Sequence, residues 1–165
     1  MDWKSSINGF KSYLQLEKSL SVNSIQAYMR DVNQLVEYLN GIGSTVAPDK
    51  IQLRDLQGFI KWIHELGMNE RTQARTISGI KAFYKYLLLE DLVLEDPTEL
   101  LEAPKSGRKL PEVLAVEEIN QLLDAIDQSK PDGVRNRAML ETMYGSGLRV
   151  SELVGLKLSD IYEQE

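Results

Sequence analysis

Apolar residues recur every three or four positions through most of the first ninety residues, and this periodicity restricts that part of the chain to amphipathic helices. The clearest stripe contains Ile25, Tyr28, Met29, Val32, Leu35, Val36 and Leu39. Ser21 stands before this stripe as a candidate N-cap, because its hydroxyl can accept a hydrogen bond from a free amide of the first turn. Asn40 and Gly41 follow it as a helix stop. Similar stripes predict three more helices, over residues 5–16, between Pro48 and Gly67, and over about 70–89, the last with Leu87 and Leu88 among its inward residues.

These helices can bury their apolar stripes only against one another, so we predict a four-helix bundle over residues 1–102. Residues 103–111 are polar, basic and bracketed by prolines, as is typical of an interdomain linker. Helical patterns continue over residues 116–127, 132–144 and 150–156, and Gly145, Ser146 and Gly147 are predicted to break the second of these helices. About 55 residues rarely form a stable domain without disulfides, metals or a partner. The sequence therefore predicts an all-α chain in which the second domain, residues 112–165, is incomplete.

The charge of the chain is unevenly distributed. The net charge of −6, taken alone, argues against nucleic-acid binding. However, residues 61–86 carry five basic and two acidic side chains, whereas residues 111–165 carry five basic and 11 acidic ones. The basic segment would suit DNA phosphates, although an ordinary solvated helix face has the same composition.

Several classes of protein are disfavoured by composition. The chain has no cysteine, and its single histidine is His64, to which we assign no role. We therefore expect no metal site and no cofactor. There is no run of about 18 apolar residues and no apolar stretch at the start of the chain, so we expect neither a membrane span nor a secretory signal. The absence of cysteine is compatible with a cytoplasmic location.

Residues 144–153, with the sequence YGSGLRVSEL, resemble the first catalytic-arginine motif of the tyrosine recombinases, the phage-integrase family. The resemblance is closest to the bacterial Xer-type site-specific recombinases. Residues 24–31 resemble the tyrosine-and-aspartate signature of the family's DNA-clamping domain, and residues 75–86 resemble its last long helix. The matches occur in order along essentially the whole chain. They imply a SAM-like core-binding bundle, a linker and the first helices of a tyrosine-recombinase catalytic domain.

The resemblance also implies a reaction for the parent protein: site-specific DNA recombination or integration through a 3′-phosphotyrosyl intermediate. Arg149 would stabilise the phosphate, because its planar fork donates two hydrogen bonds and keeps its proton, and Glu152 would support it. From the residues alone, a surface ion pair between these two side chains explains the same spacing. Neither Tyr144, which we expect to pack internally, nor Tyr162 matches the family's nucleophile. The chain itself is therefore expected not to cleave DNA.

The resemblance places double-stranded DNA against the second and fourth helices, and it implies a tetramer of recombinase protomers on paired DNA sites. The predicted DNA-binding residues are polar and face away from the apolar stripes: Asn23, Ser24, Gln26, Arg30, Arg71, Thr72, Arg75, Ser78 and Lys81. Further candidates are Ala27, Gln73, Thr76 and Gly79. Arginine and lysine would mainly bind phosphates, while serine, asparagine and glutamine can read base edges. Each could also be an ordinary solvated side chain.

Two other functions remain open at this stage. A non-catalytic helical DNA-binding regulator would share the basic helices but does not need the arginine motif. A helical adaptor that binds protein would suit the net acidity but explains none of the ordered matches. The aromatic residues at helical spacing are predicted to be core rather than base-stacking platforms: Phe59, Trp62, Phe83, Tyr84 and Tyr86.

Overall fold

The computed structural model describes residues 1–104, 107 and 112–161, and every regular element within them is helical. The α-helices are α1 (Trp3–Leu16), α2 (Val22–Gly41), α3 (Leu53–Glu65), α4 (Glu70–Leu89), α5 (Val116–Asp124), α6 (Pro131–Ser146) and α7 (Val150–Gly155), and 3₁₀ turns span Pro48–Lys50 and Leu158–Asp160. The prediction of an all-α chain is therefore confirmed.

The chain divides into two compact units, Met1–Arg108 and Lys109–Glu165. Most of the predicted linker, residues 103–111, lies outside the described residues. The predicted domain boundaries at 102 and 112 stay a prediction.

Side-chain caps fix where the helices of the first unit begin. The Ser21 hydroxyl accepts from the Ser24 amide at 3.3 Å, which confirms the predicted N-cap of α2. Asn69 caps α4 in the same way, at 2.8 Å from the Thr72 amide. The predicted start of α1 at residue 5 was late, because Asp2 accepts from the amides of the first turn and begins the helix at Trp3.

Two glycines with positive φ terminate helices of the first unit. Gly67, at φ +74°, follows α3 as predicted. The predicted stop at Asn40 and Gly41 was early, because both residues are still helical. The reversal occurs at Gly43, at φ +68°, where an L side chain would be strained.

Each helix of the first unit contributes fully buried side chains to one core. Phe10 from α1, Leu35 from α2, Leu56 from α3 and Phe83 from α4 all have no exposed surface. Phe10 and Phe83 meet edge to face with ring centroids 5.4 Å apart, a favoured aromatic geometry. This core confirms the predicted bundle. The prediction that Leu88 points inward was wrong, since that side chain is 40% exposed.

The predicted core aromatics are largely confirmed. Phe59, Phe83 and Tyr84 are at most 1% exposed, Tyr86 is buried, and Trp62 is half-buried against the core. The Tyr84 hydroxyl donates to the Pro48 carbonyl at 3.2 Å. Burial raises the pKa of this phenol far above its ordinary value. Tyr84 is therefore a neutral structural residue.

The described part of the second unit buries fewer large apolar side chains than the first unit does. Leu123 is the second unit's one buried large apolar side chain among the described residues. Arg137 of α6 joins α6 to α5 by donating to the Leu123 carbonyl at 3.4 Å, and it also donates to Glu141 of its own helix at 2.9 Å. The break predicted over residues 145–147 occurs at its last position, because Gly147 takes φ +64° after a helix that includes Gly145 and Ser146.

Candidate nucleic-acid interface

Helices α2 and α4 approach each other closely where Asp31 faces Gly79. A Cβ atom added at residue 79 would lie 2.7 Å from Asp31 Cβ and 2.8 Å from its Cγ, closer than real Cβ contacts. Any side chain at this position would therefore push the helices apart. The absence of a side chain at Gly79 sets the distance between the two helices that carry most of the predicted DNA-binding residues.

The carboxylate of Asp31 holds the guanidinium of Arg75 at this crossing. Arg75 Nη1 donates to Asp31 Oδ2 at 2.8 Å, and Nη2 lies 2.8 Å from Oδ1. The Thr76 hydroxyl donates to the same Oδ1 at 3.4 Å. This paired fork is the strongest arrangement of an arginine and a carboxylate, and it requires the ionised acid.

The two members of this pair differ in exposure. The Asp31 side chain is 3% exposed, whereas the Arg75 side chain is 48% exposed. Burial raises the pKa of the Asp31 carboxyl, while the charge and hydrogen bonds of Arg75 lower it and oppose the burial effect. The acid is thus a buried anchor, and the arginine is its solvent-facing partner.

A surface groove between α2 and α4 surrounds this pair. Its lining consists of Arg30, Asp31, Asn33, Gln34 and Glu37 from α2, Met68 just before α4, and Thr72, Arg75 and Thr76 from α4. The guanidinium, amide and hydroxyl groups are of the kind that bind phosphates and base edges, whereas the carboxylate of Glu37 repels an anion.

The structure brings some of the predicted DNA-binding residues together and leaves others beside the groove. Arg30, Thr72 and Arg75 line it. The remaining predicted residues lie exposed or half-buried on the same two helices: Asn23, Ser24, Gln26, Arg71, Ser78 and Lys81. The hydroxyls of two of these already have local partners, since Ser24 is bonded to Ser21 at 3.0 Å and Ser78 donates to the Ala74 carbonyl at 2.9 Å.

Three of the further candidates were wrong, because their positions on α4 are buried. Gln73 is 4% exposed, and its amide donates to the Met68 carbonyl at 2.6 Å. Thr76 has no exposed surface, and Gly79 packs on Asp31. Gln73 and Gly79 thus fix α4 within the bundle, and Thr76 lies buried beneath the groove. Ala27 is half-buried on α2.

Asn33 and Gln34 are among the groove residues that sequence reasoning missed. They follow Arg30 by three and four positions, so they share its side of α2. The spacing from Arg30 was the sequence signal that could have identified them as groove residues.

No acid in the described part of the chain lies within ion-pair distance of Arg30, Arg71 or Lys81. These three cations are therefore free to attract an anion.

The arginine motif lies in the second unit, at the start of α7. Glu152 accepts from the Arg149 backbone amide at 2.7 Å through Oε2 and from its Nη1 at 3.0 Å through Oε1. The Arg149 side chain is 83% exposed. The surface ion pair that the spacing allows is thus present, and Glu152 fixes both the backbone and the guanidinium of Arg149. Outward N–H groups of that guanidinium stay available to a ligand.

Tyr144 does not pack internally as expected, because 54% of its surface is exposed. Tyr162 lies outside the described residues.

No group of three or more His, Asp or Glu side chains within residues 1–104 and 112–161 is arranged to hold a metal ion. None of the helices in the described part of the chain is both long and apolar enough to cross a bilayer.

The helices that form this interface match a known protein family. The model of the phage integrase N-terminal SAM-like domain matches residues 7–91, slightly more than half of the chain. The chain belongs to the phage integrase family. A second model, for the phage integrase family itself, matches residues 112–165 of the chain.

Several curated relatives of the chain carry the name tyrosine recombinase XerD. The chain is 38% identical to the tyrosine recombinase XerD of Listeria innocua over 158 residues, which cover 96% of this chain and 53% of that protein. It is 38% identical to XerD of Oceanobacillus iheyensis over 156 residues, covering 94% of this chain and 52% of the relative. It is 37% identical to XerD of Chlorobaculum tepidum over 163 residues, covering 97% and 53%. The chain spans about half the length of the curated relatives it matches.

Among solved structures, the crystal structure of the XerA recombinase is similar, with a TM-score of 0.49 and 25% identity. The match covers 98% of this chain and 52% of that one.

Proposed function

We propose that this chain is part of a tyrosine-type site-specific DNA recombinase, and that α2 and α4 of its first unit hold double-stranded DNA. The observation that carries the proposal is the groove between these helices, where Arg30 and Arg75 stand beside the hydrogen-bonding side chains of Asn33, Gln34 and Thr72, with Glu37 as the exposed acid of the lining. Relatives named tyrosine recombinase XerD support the same function. The acidic net charge does not oppose it, because basic residues are concentrated on α4, which carries four basic side chains and one acidic one.

Arg149 is the proposed catalytic residue of this integrase. Attack of a tyrosine on a phosphodiester concentrates negative charge on the non-bridging oxygens, and a preorganised arginine neutralises that charge with directed hydrogen bonds. Glu152 is the proposed supporting residue, because it fixes the backbone amide and guanidinium of Arg149. We assign the nucleophile to no tyrosine of this chain.

The finer organisation is part of the same proposal. The core-binding domain spans residues 1–102, the linker 103–111, and the catalytic portion 112–165. The parent protein acts in the cytoplasm as a tetramer of protomers on paired DNA sites, and no cofactor takes part in the chemistry.

A salt titration of DNA binding tests the proposed interface. We expect the double variant Arg30→Ala with Lys81→Ala to bind a 30-base-pair duplex more weakly than the unmodified chain. The slope of log K against log salt should become shallower by about one for each residue, since each lost phosphate contact releases about one counterion fewer. Fluorescence anisotropy between about 50 and 200 mM salt measures both quantities.

The matched control is Lys4→Ala with Lys11→Ala, which removes the same charge from exposed positions on α1. It should change the affinity little. Equal losses in both double variants would show that only net charge matters and would refute the groove. No salt-dependent binding by the unmodified chain would refute DNA binding itself.

A non-catalytic DNA-binding regulator is the second candidate. It is favoured by one observation: Arg149 is already paired with Glu152 on an exposed helix turn. The effect of Arg149→Ala on the rate of strand cleavage distinguishes the two functions.

A further inference from the structure

The Arg75 side chain is only partly used by its contacts within the chain. One hydrogen of Nη1 and one of Nη2 point at the Asp31 carboxylate. A guanidinium has further N–H donors in the same plane, on Nε and on the outer sides of both Nη atoms. Nearly half of the side chain is exposed to the groove. Outward donors are therefore presented to a ligand in a fixed plane.

Buried residues of α2 and α4 fix the orientation of the Arg75 guanidinium plane. Asp31 can reach Arg75 only because Gly79 leaves room for its carboxylate. The Thr76 hydroxyl holds Oδ1 from the other side at 3.4 Å. Because Asp31 is buried, it cannot itself contact a ligand, so any effect that it has on binding passes through Arg75 or through its charge.

We infer that Asp31 is a positioning residue for DNA binding: it orients the Arg75 guanidinium so that the outward donors meet a backbone phosphate. This inference rests on the proposed function, because it requires DNA in the groove. Asp31 cancels the charge of Arg75, so Arg75 contributes directed hydrogen bonds more than net positive charge. The pair therefore fixes the orientation of the guanidinium but attracts a phosphate less strongly than an unpaired arginine would.

If Asp31 positions Arg75, Asp31→Asn should change the affinity for DNA in the direction opposite to that expected from charge alone. If only charge mattered, Asp31→Asn would remove a negative charge near the DNA and tighten binding, by roughly threefold for a charge about 7 Å from a phosphate in water. If Asp31 orients Arg75, the same substitution loosens the guanidinium and weakens binding. We expect a loss of about fivefold to tenfold, since hydrogen bonds between charged groups are the strong ones.

A double-mutant cycle tests this, with the whole chain, the 30-base-pair duplex and one salt concentration. In the unmodified background, Asp31→Asn should weaken binding. In an Arg75→Lys background it should tighten binding, because an ammonium needs no planar orientation and is released from its acidic partner. Arg75→Lys keeps a counter-ion for Asp31, so the variant is expected to fold. Circular dichroism melting confirms folding of each variant before affinities are compared.

The positioning role is supported if Asp31→Asn weakens DNA binding in the unmodified background and tightens it in the Arg75→Lys background. A structural defect would weaken binding in both backgrounds, and a pure charge effect would tighten it in both, so either of these results overturns the inference. In both cases the unmodified chain still binds the duplex, and the proposed function stands. If the unmodified chain shows no salt-dependent binding, the proposed function fails, and this inference fails with it.

Discussion

Arg149→Ala should lower the rate of strand cleavage by the recombinase that contains this chain by about 10²–10³-fold. Removal of one preorganised donor from a developing oxyanion typically costs about 3–4 kcal/mol of transition-state stabilisation. The rate is measured in a single turnover on a nicked suicide substrate, where a covalent protein–DNA adduct accumulates. Because the Arg149 side chain is 83% exposed, the substitution should leave the melting temperature almost unchanged.

Two controls make this result specific. Arg149→Lys keeps the charge but loses the paired donors, so its rate should fall between those of the unmodified protein and the alanine variant. The 165-residue chain alone should form no adduct. Cleavage by Arg149→Ala within about threefold of the unmodified rate would reject the catalytic role and favour the DNA-binding regulator.

Phe83→Ala should lower the free energy of unfolding of the first unit by about 3–5 kcal/mol, the usual cost of a fully buried phenylalanine. Phe83 has no exposed surface, and its ring meets those of Phe10 and Tyr84, each with centroids 5.4 Å apart. A domain of this size is stable by only about 5–15 kcal/mol, so the substitution removes a large share of that margin. Urea denaturation followed by circular dichroism measures the change.

The matched control lies on the same helix. Leu89 is 61% exposed, so Leu89→Ala should lower the free energy of unfolding by less than about 0.5 kcal/mol. A loss below about 1 kcal/mol for Phe83→Ala would contradict the description of the core. Comparable losses for both variants would contradict it as well.

The helices of the first unit could be predicted from the sequence because their signals are local. An apolar stripe such as that of α2, with Ser21 in front of it, is read within one segment of chain. The start of α1 was missed because the cap at Asp2, which accepts from the amides of Lys4 and Ser5, was not recognised, although Trp3 stands one helical turn before Ile7. The end of α2 was placed early because the decisive residue is Gly43, where φ becomes positive.

The candidate site was predicted less completely, because it depends on contacts between distant segments. Asp31 and Arg75 are 44 positions apart, and nothing local shows that they pair. The positions of Gln73 and Thr76 were misread because α4 is buried on more than one side, and polar residues there are satisfied inside the bundle. A single apolar stripe underestimates the burial of a helix that contacts all three of its neighbours.

The central claim is that duplex DNA lies against α2 and α4, and backbone amide chemical shifts recorded during a titration with a 30-base-pair duplex test it most directly. The account predicts that the largest shifts cluster at Arg30, Asn33, Thr72, Arg75 and Lys81, and that they disappear at high salt. Shifts concentrated instead on exposed positions of α1 and α3, such as Lys11 and Lys61, would contradict it.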